Sequence, residues 1–406
     1  MTENYDLIVI GGCSAGLAAA ISAARACPSL SVAVLEKLPR VGKKLLATGN
    51  GKCNLTNENA LSHGYVNRDF AEFALKSFPP QEVIGFFASL GVLCRADQCG
   101  RFYPQSGTAA SVVDALRFEL KRLGIDVYCE TAVTDIKRTK GGFAVNGRFF
   151  CKKLIIAAGG KASPSQGSDG SGYSLARSLG HSVGGLYPAL VPLCASPEIT
   201  KQMKGVRVSN VRLTLKGEKK IAESEGEILF TDYGLSGIAA MELATQAQKH
   251  INNVNLNPFT HIDFMPDMSF DELLDYLKNL NKIKGFTEID NLLTGILPKA
   301  VGIAICKAAS LYNSGLPISS LGEKELRRIA EKVKNFPLEV TGTKGFANAQ
   351  VTSGGINVSE IDKKTMQSRL CPGLYFAGEI IDVDGGCGGF NLQWAWASGM
   401  LAGRLG

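Results

Sequence analysis

Three consecutive pieces of the chain decide its fold: Tyr5-Asp-Leu-Ile-Val-Ile10, Gly11-Gly-Cys-Ser-Ala-Gly16 and Ser31-Val-Ala-Val-Leu-Glu36. The first is a short β-branched run, long enough for one buried parallel strand and too short to cross a membrane. Leu17 to Ala26 reads as a small, Ala-rich helix, and the third piece is a second buried strand ending on a carboxylate. Strand, glycine turn, helix and acid-terminated strand make a dinucleotide-binding βαβ unit. The turn of Gly11, Gly12, Cys13, Ser14, Ala15 and Gly16 lets backbone approach a pyrophosphate that rests on the helix N-terminus, and Glu36 accepts from ribose hydroxyls. One position departs from the pattern: Cys13 stands where the middle glycine is expected. Its thiol is expected to crowd the pyrophosphate.

Working outward, Lys37-Leu-Pro-Arg-Val-Gly-Lys-Lys-Leu-Leu-Ala-Thr-Gly-Asn-Gly-Lys-Cys-Asn-Leu-Thr-Asn57 is too polar for core and too rich in glycine, amide and hydroxyl groups for an idle linker. Long loops of this composition commonly bind a ligand. Gly100-Arg-Phe-Tyr-Pro-Gln-Ser-Gly107 reads as a second polar and aromatic loop. Leu154-Ile-Ile-Ala-Ala-Gly-Gly160 returns to the buried-strand pattern. Near the C-terminus, Gly373-Leu-Tyr-Phe-Ala-Gly-Glu379 is another short strand ending at glycine and an acid. The loop Asp382 to Gln393 and a helix carrying Trp394 and Trp396 follow it. This forms a second nucleotide-contacting turn, in which the acid suits polyol hydroxyls and the helix start suits an anionic ring.

Between these ends the texture changes. From Pro188 to about Phe264 short alternating runs suggest a small β domain. Ser269 to Leu280, Phe286 to Leu293, Lys299 to Ala309 and Glu323 to Val333 read as helices. At 406 residues two or three domains are expected. A hydrophobic content of 45% and a charged content of 20% describe a globular chain with ample core. The net charge of +7 is modest, and its lysine pairs (Lys43-Lys44, Lys219-Lys220, Lys363-Lys364) are dispersed, so nucleic acid is a minor expectation. Met1-Thr-Glu-Asn-Tyr-Asp6 has no basic leader and no apolar run reaches 18 residues, so neither a secretory signal nor a membrane span is expected. Eleven cysteines without a C-x-x-C pair and four histidines without ligand spacing argue against a metal site and for reduced thiols in a cytoplasm.

Taken together, these segments resemble the BaiN-like (YhiN-type) flavoproteins, also labelled aminoacetone-oxidase-family FAD-binding enzymes. The specific parts are Gly49-Asn-Gly-Lys-Cys-Asn-Leu-Thr-Asn57, Gly100-Arg-Phe-Tyr-Pro104, Gly167-Ser-Asp-Gly-Ser-Gly-Tyr173 and Gly373 through Gln393. The resemblance implies an α/β fold: a discontinuous, glutathione-reductase-like FAD-binding Rossmann domain (1–188 and 345–406). Into it are inserted a β-barrel-like domain (189–264 and 335–344) and a helical domain (265–334). It implies FAD held by Gly11 to Gly16 and Glu36, with Thr131, Ala132 and Val133 near the adenine. Gly378 and Glu379 would lie at the ribityl chain, and Gly389, Phe390 and Asn391 at the pyrimidine edge. Lys37, Lys44, Thr48, Gly49, Gly51 and Asn54 of the polar loop, with Ala158, Gly159 and Gly160, complete the expected cofactor shell. No second strand–GxGxxG–helix unit exists in the sequence, so NADH or NADPH would donate electrons only transiently, through the substrate cleft.

The resemblance points to reduction of an activated C=C, as in a 3-oxo-4,6-diene bile acid or steroid, with a small molecule as partner. Oxidation of an aminoacetone-like amino ketone and a flavoprotein that binds RNA or a protein partner remain alternatives. Two residues are candidates for the chemistry. Tyr103 is either a proton donor or packing before Pro104, and Cys53 is either a redox partner of the flavin or a packed thiol. Asp382 and Asp384 suit either a substrate contact or a turn, and the two tryptophans are expected to pack the helix.

Overall fold

The computed structural model describes residues 3–311 and 315–406. Met1 and Thr2, the first residues of the segment read for a leader, lie outside them. The chain separates into two compact units, Met1–Tyr187 with Gln350–Gly406, and Pro188–Ala349.

The first unit is built on a parallel sheet. Its strands run in the order Asp126–Tyr128, Val32–Leu35, Glu3–Ile10, Phe149–Ile156 and Leu374–Phe376. Val32–Leu35, Leu374–Phe376 and the ends Leu7–Ile10 and Leu154–Ile156 of the two long strands are apolar and buried, as a sheet covered on both faces requires. The register matters most for function: Ile10 faces both Leu35 and Ile156, Tyr128 faces Leu35, and Phe376 faces Ile156. The carboxyl ends therefore finish level, and Gly11, Glu36, Ala157 and Ala377 all leave the sheet along one edge. A ligand crevice forms at such an edge. An antiparallel hairpin, Ile136–Thr139 with Gly142–Val145, joins the other half of Phe149–Ile156.

Two helices close one face. Ser14–Ala26 and the C-terminal Phe390–Gly403 approach so closely that a Cβ on Gly399 would stand 2.3 Å from the Ala15 carbonyl oxygen, and one on Gly403 the same distance from that of Ala19. The C-terminal helix is buried along nearly its whole length, with Trp394 and Trp396 enclosed; apolar on all sides, it is a core helix. The Gly100–Gly107 stretch corrects the expectation of a loop. Arg101–Pro104 is the central strand of a small antiparallel sheet, between Thr56–Asn57 and Cys94–Ala96. Its alternation of Arg101, Phe102 and Tyr103 is a strand period hidden between turn residues.

The second unit contains a closed six-stranded barrel in the order Leu193–Ala195, Gly234–Ser236, Lys220–Phe230, Arg207–Lys216, Phe259–Asp263 and Phe336–Thr343. Helices Ile238–Val254, Phe270–Lys284, Lys299–Ala308 and Glu323–Lys334 belong to the same unit. Phe286 to Leu293 is not a helix: it holds a single 3-10 turn at Ile289–Asn291, while Ile289, Leu292 and Leu293 are buried. A short apolar cluster beside Gly285 mimicked a helical face. Among the described residues no helix is long and apolar enough to cross a membrane.

Candidate functional site

The glycine turn is shaped by contact. Gly11 has φ +105°, and a Cβ there would stand 2.4 Å from the Ala157 carbonyl oxygen. A Cβ on Gly16 would stand 1.9 Å from the Gly11 carbonyl oxygen, so only glycine lets the helix sit directly on the turn. Cys13 is the N-cap residue, with φ −116° and ψ −162°, an extended conformation open to any L-residue. The backbone therefore does not require glycine at this position. No side chain caps the helix, which leaves its first-turn N–H groups available to an anion.

Glu36 is buried at the end of the second strand. Its carboxylate accepts from the Gly12 N–H at 2.8 Å and the Leu38 N–H at 2.9 Å. The Thr131 N–H donates to the Glu36 carbonyl at 2.9 Å, which brings the Thr131–Val133 segment beside it. On the other side of the turn, Gly378 (φ +77°) is pressed against the first turn of the helix; a Cβ there would stand 2.7 Å from that of Ala15. Glu379 follows, accepting from the Thr352 N–H at 2.8 Å and pairing with the Lys44 ammonium at 2.7 Å. A Cβ on Gly160 would stand 2.9 Å from a Glu379 oxygen, so this carboxylate lies over the Gly159–Gly160 turn. Thr352, which sequence reading did not single out, also accepts from the N–H groups of Lys161 and Ala162.

Three more segments meet beyond this cradle. Asn57 Nδ2 donates to the Gly388 carbonyl at 2.9 Å, Thr56 Oγ1 donates to Gln393 at 2.5 Å, and Trp396 Nε1 reaches the Leu55 carbonyl at 3.1 Å. Thr56 and Phe102 are ladder partners, and a Cβ on Gly49 would stand 3.3 Å from the Tyr103 ring. The polar loop, the Arg101–Pro104 strand and the C-terminal glycine loop thus converge. At their meeting point the side-chain oxygen of buried Asn54 has no hydrogen-bond partner among the described residues, and it lies where a Cβ on Gly389 would come within 2.7 Å. The Tyr173 hydroxyl is also buried without a partner among the described residues, and burial raises its pKa beside the acids Glu379, Asp382 and Asp384. Buried acceptors and donors left open cost free energy unless a ligand takes them. Together with the glycine cradle and the uncapped helix, they fit a dinucleotide such as FAD.

Not every expected cofactor residue keeps its side chain for that purpose. Lys37 pairs with Asp169 at 2.6 Å, and Thr48 donates to its own turn at Leu45. The Asn391 amide braces Gly385 and Gly386. Phe390 stacks on His63, centroids 3.6 Å apart and 4° from parallel. Of the two readings of Cys53, the geometry is that of the packed thiol and not of a redox partner. The residue is 0% exposed within the core, in a left-handed conformation (φ +59°), and burial pushes its thiol up to about 12. Buried thiols of raised pKa are poor nucleophiles. Tyr103 is half-buried with its pKa raised mainly by burial, so it is neutral and able to donate, and its hydroxyl has no partner among the described residues. His63 was missed. Its Nε2 accepts from the Gly386 N–H at 2.8 Å, and burial lowers its pKa, so the ring is neutral with its proton on Nδ1. A lone histidine in a polar stretch gave no sequence signal. Among the described residues no cluster could hold a metal ion.

Residues 5–405 match the HI0933-like protein Rossmann domain family. The chain belongs to that family. Its similarity to the 3-dehydro-bile acid delta(4,6)-reductase of Clostridium scindens is 39% identity over 98% of this chain and 97% of that protein. The ribosomal RNA dihydrouridine synthase of Escherichia coli K12 is 28% identical over 98% of this chain and 96% of its own. Among solved structures, the 3-ketosteroid delta1-dehydrogenase of Sterolibacterium denitrificans superposes with a TM-score of 0.53. It is 13% identical, with 100% of this chain and 99% of that one covered, a likeness of fold. This HI0933-like chain is an FAD-dependent oxidoreductase.

Proposed function

We propose that the protein reduces a C=C bond conjugated to a carbonyl, in a steroid-like or bile-acid-like enone, with electrons from NADH or NADPH. The observation that carries this reading is the 39% identity over nearly the whole length to a 3-dehydro-bile acid delta(4,6)-reductase. Bound FAD supplies hydride chemistry that amino-acid side chains lack. The chain's own residues hold it and manage protons. The aligned turns at Gly11, Glu36, Gly159 and Gly378 fix the dinucleotide, and the three converging segments shape the place where substrate meets it. Hydride goes to the β-carbon, a proton goes to the α-carbon, and the nicotinamide donor leaves oxidised, so electrons and atoms balance. Tyr103, neutral and with a free hydroxyl, is the proposed proton donor. The unpaired state of all eleven cysteines accords with a reducing compartment such as the cytoplasm.

The relative from E. coli supports a second reading, in which the conjugated C=C is that of a uracil ring in ribosomal RNA. The bond chemistry is the same and the substrate class differs. One experiment separates them. The purified holoprotein is reduced anaerobically with NADH or NADPH, then mixed with a 3-oxo-4,6-diene steroid or with ribosomal RNA; separately, the oxidised holoprotein is mixed with aminoacetone and O₂ without any nicotinamide. Fast reoxidation by the dienone alone supports the proposal. Reoxidation by RNA, with dihydrouridine formed, replaces it with the second reading, and peroxide from the amine replaces it with an oxidase.

A further inference from the structure

The cradle poses an electrostatic problem. A diphosphate is an anion, and two carboxylates flank the turn that would receive it. Glu36 is satisfied by backbone N–H groups, so its charge is spread over donors that do not move. Glu379 has one backbone donor, the Thr352 N–H, and otherwise depends on Lys44. Two other cations of the same loop are committed elsewhere, Lys37 to Asp169 and Lys43 to the Ser165 carbonyl. The Lys44–Glu379 pair joins residues 335 apart in sequence at 2.7 Å, with side chains only 19% and 20% exposed. Lys44 also lies 3.5 Å from the Ser168 hydroxyl. Its partner Glu379 relates it to the helix. Gly378, the residue before Glu379, packs on Ala15 in the first turn. The ammonium's field is also felt at the Cys13 thiol, where it opposes the effect of burial.

We propose that Lys44 is a positioning residue for the cofactor diphosphate: Glu379 holds its ammonium beside the uncapped first turn of the Ser14–Ala26 helix, and the ammonium in turn cancels the Glu379 charge so that an anion can enter. This rests on the FAD reading of the cradle. Lysine suits the role because it is a compact point charge on a flexible stem, able to serve two anions at once. Removing it does more than delete one contact. It leaves a poorly solvated carboxylate facing the phosphates, which is the costly way to break such a pair.

The test is titration of apo-protein with FAD, followed by quenching of flavin fluorescence, at low and high KCl. Lys44→Met should weaken FAD by about 10- to 100-fold, the loss expected for a charge-assisted hydrogen bond, and should flatten the dependence of affinity on salt. Lys44→Arg should stay near the native affinity. The double variant Lys44→Met/Glu379→Gln should bind FAD more tightly than Lys44→Met, because the uncompensated charge is gone. Native affinity in Lys44→Met, or a double variant no better than the single one, overturns the proposal. If Lys44→Met does not fold, Lys44→Gln, which can still donate to Glu379, reads the charge alone by the same criteria. Failure of the native apo-protein to bind FAD at all overturns the cofactor reading itself, a result distinct from any loss confined to the variants.

Discussion

Replacing Glu36 with alanine tests whether this acid holds the phosphate turn in shape before any cofactor arrives. In the structure its two oxygens receive the Gly12 N–H at 2.8 Å and the Leu38 N–H at 2.9 Å, and the residue is buried. Alanine strands both N–H groups. Hydrogen bonds to a charged acceptor contribute about 1.5–3 kcal/mol each. Because both end on one carboxylate they are not fully additive, and a combined loss of about 3–5 kcal/mol is expected. For a unit of this size that corresponds to a fall of roughly 6–20 °C in melting temperature. Glu36→Gln keeps one acceptor but turns an NH₂ group toward the other N–H, so it should fall between native and alanine. The assay is circular-dichroism melting of cofactor-free protein, with FAD affinity measured separately. If apo Glu36→Ala melts within about 2 °C of native, as an innocuous surface change of under about 0.5 kcal/mol would, water has replaced the carboxylate and the bracing argument fails. Glu36 would then act on the ribose alone.

Other outcomes follow from the same geometry. Tyr103→Phe should retain FAD and be reduced by NAD(P)H at the native rate, yet reoxidise with enone about 10²- to 10⁴-fold more slowly; rapid mixing separates the half-reactions, and an unchanged reoxidation rate makes Tyr103 packing. Cys13→Gly should leave stability within a few tenths of a kcal/mol, since the N-cap backbone is already extended and glycine caps nearly as well; a large loss of FAD affinity would give the thiol its own role. In the folded protein a thiol reagent should label exposed Cys27 and Cys99 quickly and spare Cys53 until denaturant is added. The melting temperature should fall as pH drops below about 6.5. Burial lowers the His181 pKa from its ordinary 6.5, with Glu360 opposing, so the unfolded chain takes up the proton first and stability drains between 6.5 and the lowered value. His181→Gln should flatten that slope, and an unchanged slope would assign it to other groups.

What the sequence revealed, and what it hid, divides along a physical line. The nucleotide unit was legible because strand, turn and helix follow one another in a single stretch, with Gly16 answering to Gly11 five residues away, although Gly11 itself answers to Ala157 at the end of a distant strand. The buried C-terminal helix was legible because nothing but core tolerates so apolar a run. The Arg101–Pro104 strand was hidden because one partner, Thr56–Asn57, comes from the distant polar loop, its hairpin partner Cys94–Ala96 is very short, and its own residues look like a turn. Cys53 looked reactive in a polar loop, and only the fold shows that loop tucking it into the core. The Lys44–Glu379 pair and the His63–Phe390 stack are long-range contacts, and no spacing within one segment announces them.

The same contacts explain how one cradle serves different chemistries of recognition. Lys44 to Glu379, Asn57 to Gly388 and Leu55 to Trp396 each tie the N-terminal part of the chain to its last fifty residues. Residues 188–349, which form the second unit, lie between those partners in sequence. Each of these three ties lies within the first unit. Substitutions in residues 188–349 can alter what is reduced without touching what does the reducing. On the proposed function, a dienone and a uracil ring ask the flavin for the same step, hydride to a carbon conjugated with a carbonyl, and differ in size, charge and attachment. A family able to hold relatives named for a bile acid and for ribosomal RNA over nearly the full length of the chain is what that division of labour predicts. Exchanging residues 188–349 between this chain and the E. coli relative should then carry substrate preference with the insert, while FAD affinity stays with the cradle.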